Sequence, residues 1–239
     1  MKTVCVVSDL HMFCKRSHWE DHLAAIDTAA AKSDIFVFNG DTVDFKWTTL
    51  NSVEETVDAA IAFLRDIAAR FPACQFHVNL GNHDHTQGFI DALDVLARST
   101  ENLTWHPYYL RMGNTLFIHG DAATRRMNQA QLEAYRSGWM QHKKQGRMKN
   151  RVYDAAFKAR AHLAISRLAH PPRRTLERVH SYIHDIGHGT PEGVENVYFG
   201  HTHVAVDGAR YGGVTFHNGG APMRGVDFRL LMLEVSEID

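Results

Sequence analysis

Short runs of apolar residues recur along the chain, and each run ends at a polar or charged residue. The five clearest are TVCVVSD, DIFVFNGD, QFHVNLGN, TLFIHGD and NVYFGHTH, at residues 3–9, 34–41, 75–82, 115–121 and 196–203. Continuous apolar runs of about 4 to 8 residues, bounded by Gly and polar residues, are typical of strands buried on both faces. The pattern therefore predicts five core strands that carry polar side chains at their carboxyl ends.

Between these strands the apolar spacing becomes helical. In SVEETVDAAIAFLRDIAARF, residues 52–71, apolar positions recur every three or four residues, and Ser52 with Glu55 predicts a capping box. The segment SHWEDHLAAIDTAAAK, residues 17–32, begins in the same way with Ser17 and Glu20. Alternating strands and helices indicate an α/β fold with a largely parallel sheet, and ligands bind such sheets at the carboxyl ends of the strands.

The pattern changes after Asp121. Residues 122 to about 180 show no convincing strand and hold 14 of the 26 Lys and Arg residues, so they predict basic helices. A pair of prolines, Pro171 and Pro172, interrupts them, and a further helix is expected over 174–186. Because the strand pattern resumes near residue 194, we expect one domain over 1–239 with a helical insertion at about 122–192.

Composition narrows the class of protein. A chain of 239 residues with 44% apolar residues suits one substantial globular core. Its formal net charge of −1 gives no reason to expect nucleic acid as a partner. The three cysteines form no CxxC pair, so neither a disulfide framework nor a thiolate zinc site is indicated. We expect a cytoplasmic protein without a membrane span, leaving peripheral membrane contact and oligomeric state open.

The polar ends of the strands form an ordered set of motifs: SDLH, FNGDTVDF, LGNHDH, IHGD and FGHTH. Carboxylates, imidazoles and an amide oxygen, without thiolates, suit divalent cations such as Mn, Fe or Zn. Two such ions held close together can polarise a phosphoryl oxygen and generate a hydroxide nucleophile near neutral pH. The residue types alone therefore favour metal-dependent hydrolysis of a phosphate ester.

This set resembles the motifs of the calcineurin-like metallophosphoesterase superfamily, D-x-H, G-D, G-N-H-D/E, H and G-H-x-H, in the same order. The resemblance covers residues 1–121 and about 194–235. It implies a four-layer α/β/β/α sandwich, a helical lid formed by the insertion, and two divalent metal ions, with manganese favoured over iron or zinc. It also implies that Asp41 bridges the metals, with Asp9, His11 and His203 completing one site and Asn82, His119 and His201 the other.

The resemblance assigns further roles around these ligands. His83 is expected to be catalytic, as a general acid or a positive stabiliser at the leaving oxygen, and Asp84 to orient its ring. Arg125 and Arg126 lie nearest the metal loop in sequence and are candidate substrate-binding residues, together with Asn82. His85 is expected to be a polar loop residue.

Several polar residues keep two interpretations. His180, His184 and His188 have a spacing that can chelate zinc, although a solvated or hydrogen-bonded helix face is favoured, and His18 and His22 are treated alike. Asp44 and Asp121 either orient metal-bound histidines or make loop hydrogen bonds. Cys14 lies near His11 and could be oxidised, but a bystander role is favoured. Apolar residues of the insertion either line a substrate groove or seat the helices on the core.

The sequence indicates the substrate less directly than it indicates the type of reaction. Chain length, the SDLH start and the position of the insertion resemble the UDP-2,3-diacylglucosamine pyrophosphatase branch, which would make the substrate a nucleotide-linked lipid. That branch usually has Arg where this chain has His83, so a related phosphodiesterase or pyrophosphatase is an equal hypothesis. The alternatives are a phosphomonoesterase of a small anionic substrate and, more remotely, a non-catalytic protein-binding scaffold.

Overall fold

The computed structural model describes residues 1–140 and 170–236. Within them, one five-stranded sheet contains β1 (Lys2–Val7), β2 (Ile35–Asn39), β3 (Gln75–Asn79), β4 (Leu103–His106) and β10 (Leu231–Val235). The strand order is β10-β1-β2-β3-β4; the first four strands in sequence run parallel, and β10 pairs antiparallel with β1. The predicted parallel sheet is present here, with one antiparallel edge strand.

A second five-stranded sheet contains β5 (Tyr109–Met112), β6 (Thr115–Ile118), β7 (Asn196–Tyr198), β8 (Val206–Tyr211) and β9 (Val214–Asn218). Its order is β5-β6-β7-β9-β8, with β6, β7 and β9 parallel and both edge strands antiparallel. All five strands expected from the apolar runs are present: three in the first sheet and two at the centre of the second.

The helices of the described residues are α1 (Leu23–Lys32), α2 (Val53–Arg70), α3 (Gln87–Ser99), α4 (Gln129–Ser137) and α5 (Pro172–Asp185), with 3₁₀ turns at Trp19–His22, Asp121–Ala123 and Thr190–Glu192. Half of the capping box predicted for α2 forms: the Ser52 Oγ accepts the Glu55 N–H at 3.1 Å, whereas the Glu55 carboxylate accepts the N–H of Asn51 at 3.0 Å instead of that of Ser52. The cap predicted at Ser17 was wrong. Its Oγ donates to the Leu10 carbonyl at 2.5 Å, and a 3₁₀ turn precedes α1.

Side chains that alternate along the strands build a four-layer sandwich. In β1, Cys5 and Val7 pack in the core beneath α1, α2 and α3, whereas Val4 and Val6 face the second sheet. There they meet Phe117 and other apolar residues of that sheet. On its outer face the second sheet is covered by α4 and α5, through residues such as Leu132, Leu176, Val179 and Ile183. The expected α/β/β/α architecture is confirmed.

The described parts of the insertion pack against the second sheet. Met127 and Leu132 are buried in its outer core, so here the apolar positions seat helices on the core. The helix expected over 174–186 is α5, which begins two residues earlier because Pro172 is favourable in the first turn. Phe157, Leu163, Ile165 and Leu168, expected in the lid, lie outside the described residues. Among the described helices, none combines the length and apolar character needed to cross a membrane.

Candidate metal centre

The residues expected at the site gather where the two sheets meet. Asp9 and His11 follow β1, Asp41 follows β2, Asn82, His83 and Asp84 follow β3, His119 follows β6, and His201 and His203 follow β7. Strands β1, β2 and β3 are neighbours in the first sheet, and β6 and β7 are neighbours in the second. The strand ends converge, but each of two sheets contributes side chains to the cavity, whereas the strand-end pattern alone indicated a single largely parallel sheet.

The backbone around these residues is strained. Six non-glycine residues have positive φ among the described residues: Asp9 (54°), His11 (44°), Phe13 (65°), Asp41 (49°), His201 (64°) and His203 (55°). Residues that carry a Cβ are destabilised by about 1–2 kcal/mol in this left-handed region. Five of the six are the residues expected to bind metal. Strain concentrated at one site indicates that the surrounding fold holds these side chains in place for function.

Two glycines allow ligand side chains to approach the backbone closely. A Cβ at Gly81 would collide with the Asp41 carboxylate, and a Cβ at Gly200 would collide with the Asp9 carboxylate. The glycines that precede Asn82 and His201 in the motifs are therefore required because a side chain there would occupy the space of a ligand carboxylate.

One side of the cavity is formed by Asp9, His11 and His203. The Nε2 atoms of the two histidines are 3.0 Å apart, and the His203 Nε2 is 3.4 Å from the Asp9 Oδ1. The Asp9 carboxylate also accepts the backbone N–H of His201 at 2.9 Å, which fixes its position. Burial raises the pKa of Asp9, but its hydrogen bond and charge attraction to His203 outweigh that effect and hold it low.

The other side is formed by Asn82, His119 and His201. The Asn82 Oδ1 lies 3.3 Å from the His119 Nε2 and 3.0 Å from the His201 Nδ1. The opposite ring nitrogen of His201, Nε2, is 2.7 Å from the Thr124 Oγ1. Thr124 therefore holds the His201 ring with Nδ1 facing the cavity, a contact that the motifs did not reveal.

Asp41 lies between the two sides. Its Oδ2 is 3.3 Å from the His119 Nε2 and 3.8 Å from the His11 Nε2, and its Oδ1 accepts the His83 N–H at 2.7 Å. Burial opposes its ionisation, but His119 and His83 lower the pKa of Asp41 well below its usual range. Burial likewise disfavours charge on His119, yet Asp41 raises the pKa of that ring to about 10. The cavity strongly attracts positive charge.

The ring of His83 is oriented by a different carboxylate from the one expected. Its Nδ1 is 3.2 Å from the Asp44 Oδ1, and the other oxygen of Asp44 is 3.5 Å from the His11 Nδ1. Asp84 instead accepts the backbone N–H groups of Gly81 and Thr42, at 2.6 and 2.8 Å. The expected role of Asp84 is therefore corrected: it ties two strand-end loops together, and Asp44 holds the histidine ring.

These residues fit divalent metal ions. Three groups of three side chains have candidate ligand atoms within 4.8 Å of one another: Asp9, His11 and His203; His11, Asp41 and His83; and Asp41, His119 and His201. Buried carboxylates need cationic partners, and histidine nitrogens facing each other at 3.0 Å suit a shared cation. The donors are carboxylate, imidazole and amide oxygen, a set that binds first-row divalent metals.

Comparison with known proteins agrees with this chemistry. A sequence model of the calcineurin-like phosphoesterase family matches residues 2–205, which include every residue of the cavity. The chain belongs to this family. As a calcineurin-like phosphoesterase it is a metal-dependent hydrolase that acts on a phosphate ester.

Two solved structures align with most of the chain at low sequence identity. A crystal structure of another protein aligns over 99% of this chain and 100% of its own length, with 13% identity and a TM-score of 0.50. A dimetal phosphatase from Danio rerio aligns over 96% of this chain and 94% of its own, with 10% identity and a TM-score of 0.46. No curated protein matches the phosphoesterase in sequence.

Buried amides join the two sheets of the phosphoesterase beside the cavity. Asn39 donates to the carbonyls of Ile118 and Tyr198 at 2.9 and 3.0 Å, and Asn79 donates to the Asn39 Oδ1 at 2.8 Å and the Phe117 carbonyl at 3.1 Å. Both asparagines are at most 1% exposed. Sequence reasoning missed them, although an Asn closing a buried apolar run was an available signal.

The arginines of the insertion differ from expectation. Arg136, one of the basic residues of the insertion, is 1% exposed, and its Nη2 lies 2.6 Å from the Asp121 Oδ2. Burial opposes ionisation of Asp121, and Arg136 outweighs it, lowering the pKa of Asp121 to about 2. Arg125 and Arg126 are exposed, and the Arg125 guanidinium lies 6.0 Å from the Tyr135 ring. Within the described residues, neither arginine contacts the side chains that line the cavity.

The remaining histidines form no additional three-residue metal group within the described residues. The Nε2 atoms of His180 and His184 are 3.2 Å apart, whereas His188 contacts Arg111, so the three do not converge. The His22 ring packs 4.5 Å from that of Phe228. His85 lies in the loop between β3 and α3, as expected, and is buried there; burial and nearby Arg136 lower its pKa to about 4.

Burial also makes Cys14 unreactive. It raises the pKa of the Cys14 thiol to about 12, which supports the bystander interpretation.

Proposed function

We propose that the cavity is a binuclear metal centre that hydrolyses a phosphodiester or pyrophosphate bond, with Asp41 shared between the two ions. The observation that carries the proposal is the membership of Asp41 in two of the three candidate ligand groups, one with His11 and one with His119 and His201. Asp9 and His203 complete the first metal site. The Asn82 Oδ1, which faces both His119 and His201, completes the second.

When bound, two divalent ions would polarise the phosphoryl group and supply the nucleophile. We favour manganese, because oxygen and imidazole ligands without thiolates suit it, with iron and zinc as the alternatives tested by reconstitution. The chain's own residues set the geometry. The strained turns at Asp9, Asp41 and His201 hold their side chains toward one point, and Asp84 fixes the loops after β2 and β3.

His83 supplies the proton for the leaving oxygen. Its Nδ1 faces Asp44 at 3.2 Å, so Nε2 is the nitrogen left to donate. Burial lowers the pKa of His83, but Asp44 and Asp41 outweigh it and raise the pKa to about 9. These two carboxylates favour the protonated ring, which is the form that a general acid needs. Asp44 is a positioning residue, since it acts through His83.

The substrate assignment rests on the charge around the centre. The basic insertion agrees with a phosphodiester or pyrophosphate substrate, including a UDP-diacylglucosamine-type lipid. We also propose that the insertion belongs to the same domain as the sandwich. The ring of Trp139 lies 4.9 Å from that of His83, and the Lys46 ammonium lies 4.3 Å from the Trp139 ring, so both border the leaving-group side.

The test is hydrolysis of bis(p-nitrophenyl) phosphate beside p-nitrophenyl phosphate by manganese-reconstituted protein, with a chelator control. We expect a diester preference that the chelator abolishes, and UDP-linked lipids are then the next substrates to assay. A monoester preference would make the protein a phosphatase. Hydrolysis of neither compound by protein shown to hold two metals would overturn the proposal and favour the scaffold hypothesis.

A further inference from the structure

A basic cleft lies on the exposed face of α5, outside the metal centre. It has a volume of about 550 Å³. Arg174, Arg178 and Ser181 line it from one face of α5, together with Arg126 from the loop before α4 and Tyr211 from the end of β8. Residues spaced by three or four positions share one face of a helix, so these side chains point into the same space.

The charge of the cleft is positive and partly uncompensated. Three guanidinium groups line it against two carboxylates, Glu177 and Asp185. Within the described residues, neither carboxylate forms an ion pair with Arg126 or Arg174. Exposed guanidinium groups without carboxylate partners are suited to bidentate contacts with phosphate oxygens.

The cleft is connected to the metal centre through two contacts. Arg178 donates to the carbonyls of Ala123 and Thr124, both at 2.8 Å, and the Thr124 Oγ1 lies 2.7 Å from the His201 Nε2. The loop that contains Ala123 and Thr124 therefore contacts both a residue of the cleft and a residue of the metal centre. His180 and His184 lie at the cleft wall, and burial together with the neighbouring His184 keeps the pKa of His180 low, so the neutral His180 ring can add a hydrogen bond.

We propose that this cleft is a subsite for a second anionic group of the substrate, a phosphate or similar anion carried beyond the scissile bond. The proposal rests on the proposed function, because it assumes a phosphate ester bound at the metals. It narrows the substrate class to molecules with two separated anionic groups. A simple diester would fill only the metal centre.

Inhibition by two inorganic anions tests this subsite. With bis(p-nitrophenyl) phosphate as substrate and free manganese fixed, inhibition constants are measured for phosphate and for the longer tripolyphosphate. In the double variant R126A/R174A we expect the preference for tripolyphosphate over phosphate to fall about tenfold. The matched control is Arg173→Ala, which removes an exposed arginine of the same helix that does not line the cleft, and should leave both constants unchanged.

Other outcomes would overturn the subsite. An unchanged preference in R126A/R174A, or an equal fall in Arg173→Ala, would show that the cleft does not bind the second group. Binding of phosphatidylglycerol vesicles that R126A/R174A abolishes, with the preference unchanged, would assign the cleft to a membrane headgroup instead. Calorimetric titration of the chelator-treated chain with tripolyphosphate separates the hypotheses: binding lost in R126A/R174A supports the cleft even if hydrolysis, and hence the proposed function, fails.

Discussion

The buried ion pair between Arg136 and Asp121 gives a sharp prediction about stability. The side chains are 1% and 2% exposed, and the guanidinium contacts the carboxylate at 2.6 Å and 3.3 Å while also donating to the Pro107 carbonyl. Replacing Arg136 by Met keeps much of the volume but leaves an uncompensated carboxylate and an unpaired carbonyl. Breaking a buried pair in this way costs about 3–5 kcal/mol.

The expected result is a large loss that a second substitution repairs. At about 2–4 °C per kcal/mol for a domain of this size, Arg136→Met should lower the melting temperature by roughly 6–20 °C. Adding Asp121→Asn should recover at least about 2 kcal/mol, because the buried charge is then removed. Arg70→Ala is the control: its partner Asp27 is 39% exposed, so about 1 kcal/mol or less should be lost.

The assays are thermal unfolding for the melting temperature and urea unfolding for the free energy, both followed by circular dichroism, with chelator present so that metal binding does not contribute to stability. A loss in Arg136→Met no larger than that in Arg70→Ala would refute the reasoning. A double variant as unstable as Arg136→Met alone would show that the lost packing, and not the unpaired charge of Asp121, causes the effect.

Four further predictions concern the site and the core. His83→Ala should lower turnover by about 10² to 10⁴ with metal content unchanged, and equal turnover would remove its role as proton donor. Asp41→Ala should lose both metals by elemental analysis; full occupancy would disprove the bridge. Gly81→Ala, whose Cβ would meet the Asp41 carboxylate, should lose metal while Gly88→Ala, which has open space, keeps it. Burial and the neighbouring His106 lower the pKa of His77 in the folded protein from 6.5 to about 4. As the pH falls, this ring is therefore protonated in the unfolded chain before it is protonated in the folded protein. The native protein should therefore lose about 2 kcal/mol more than His77→Gln between pH 7 and pH 5 in urea unfolding, and parallel curves would contradict that pKa.

The strand ends of the fold could be predicted because the core strands are continuous apolar runs. Each run stops at a Gly or a polar residue. The sequence therefore indicates where these five strands end and which side chains follow them: β1, β2, β3, β6 and β7. The edge strands were not. In β10, LMLEV, burial alternates and the run is short, so its periodicity resembles that of many surface segments. Pairing with β1, which is distant in sequence, decides its structure.

Contacts around the site were harder to predict than the site residues themselves. The motifs identified the residues that line the cavity. They did not show which of two nearby carboxylates, Asp44 or Asp84, would contact the His83 ring. Asp84, the neighbour of His83 in sequence, was expected to orient the ring, but Asp44 lies beside it instead. The burial of Arg136 was equally hidden, since a lone arginine on a polar helix gives no signal of a buried partner.

The division of the cavity between the two sheets has a consequence for biosynthesis. His11 and His203 touch, yet 192 residues separate them in the chain. As the polypeptide emerges from the ribosome, β1, β2 and β3 and the carboxylates that follow them, Asp9, Asp41 and Asp84, are made before the imidazoles of the second sheet. Because β8, β9 and β10 come after residue 203, neither sheet is complete until these last strands have been translated. Closing the centre is therefore one of the last steps of maturation.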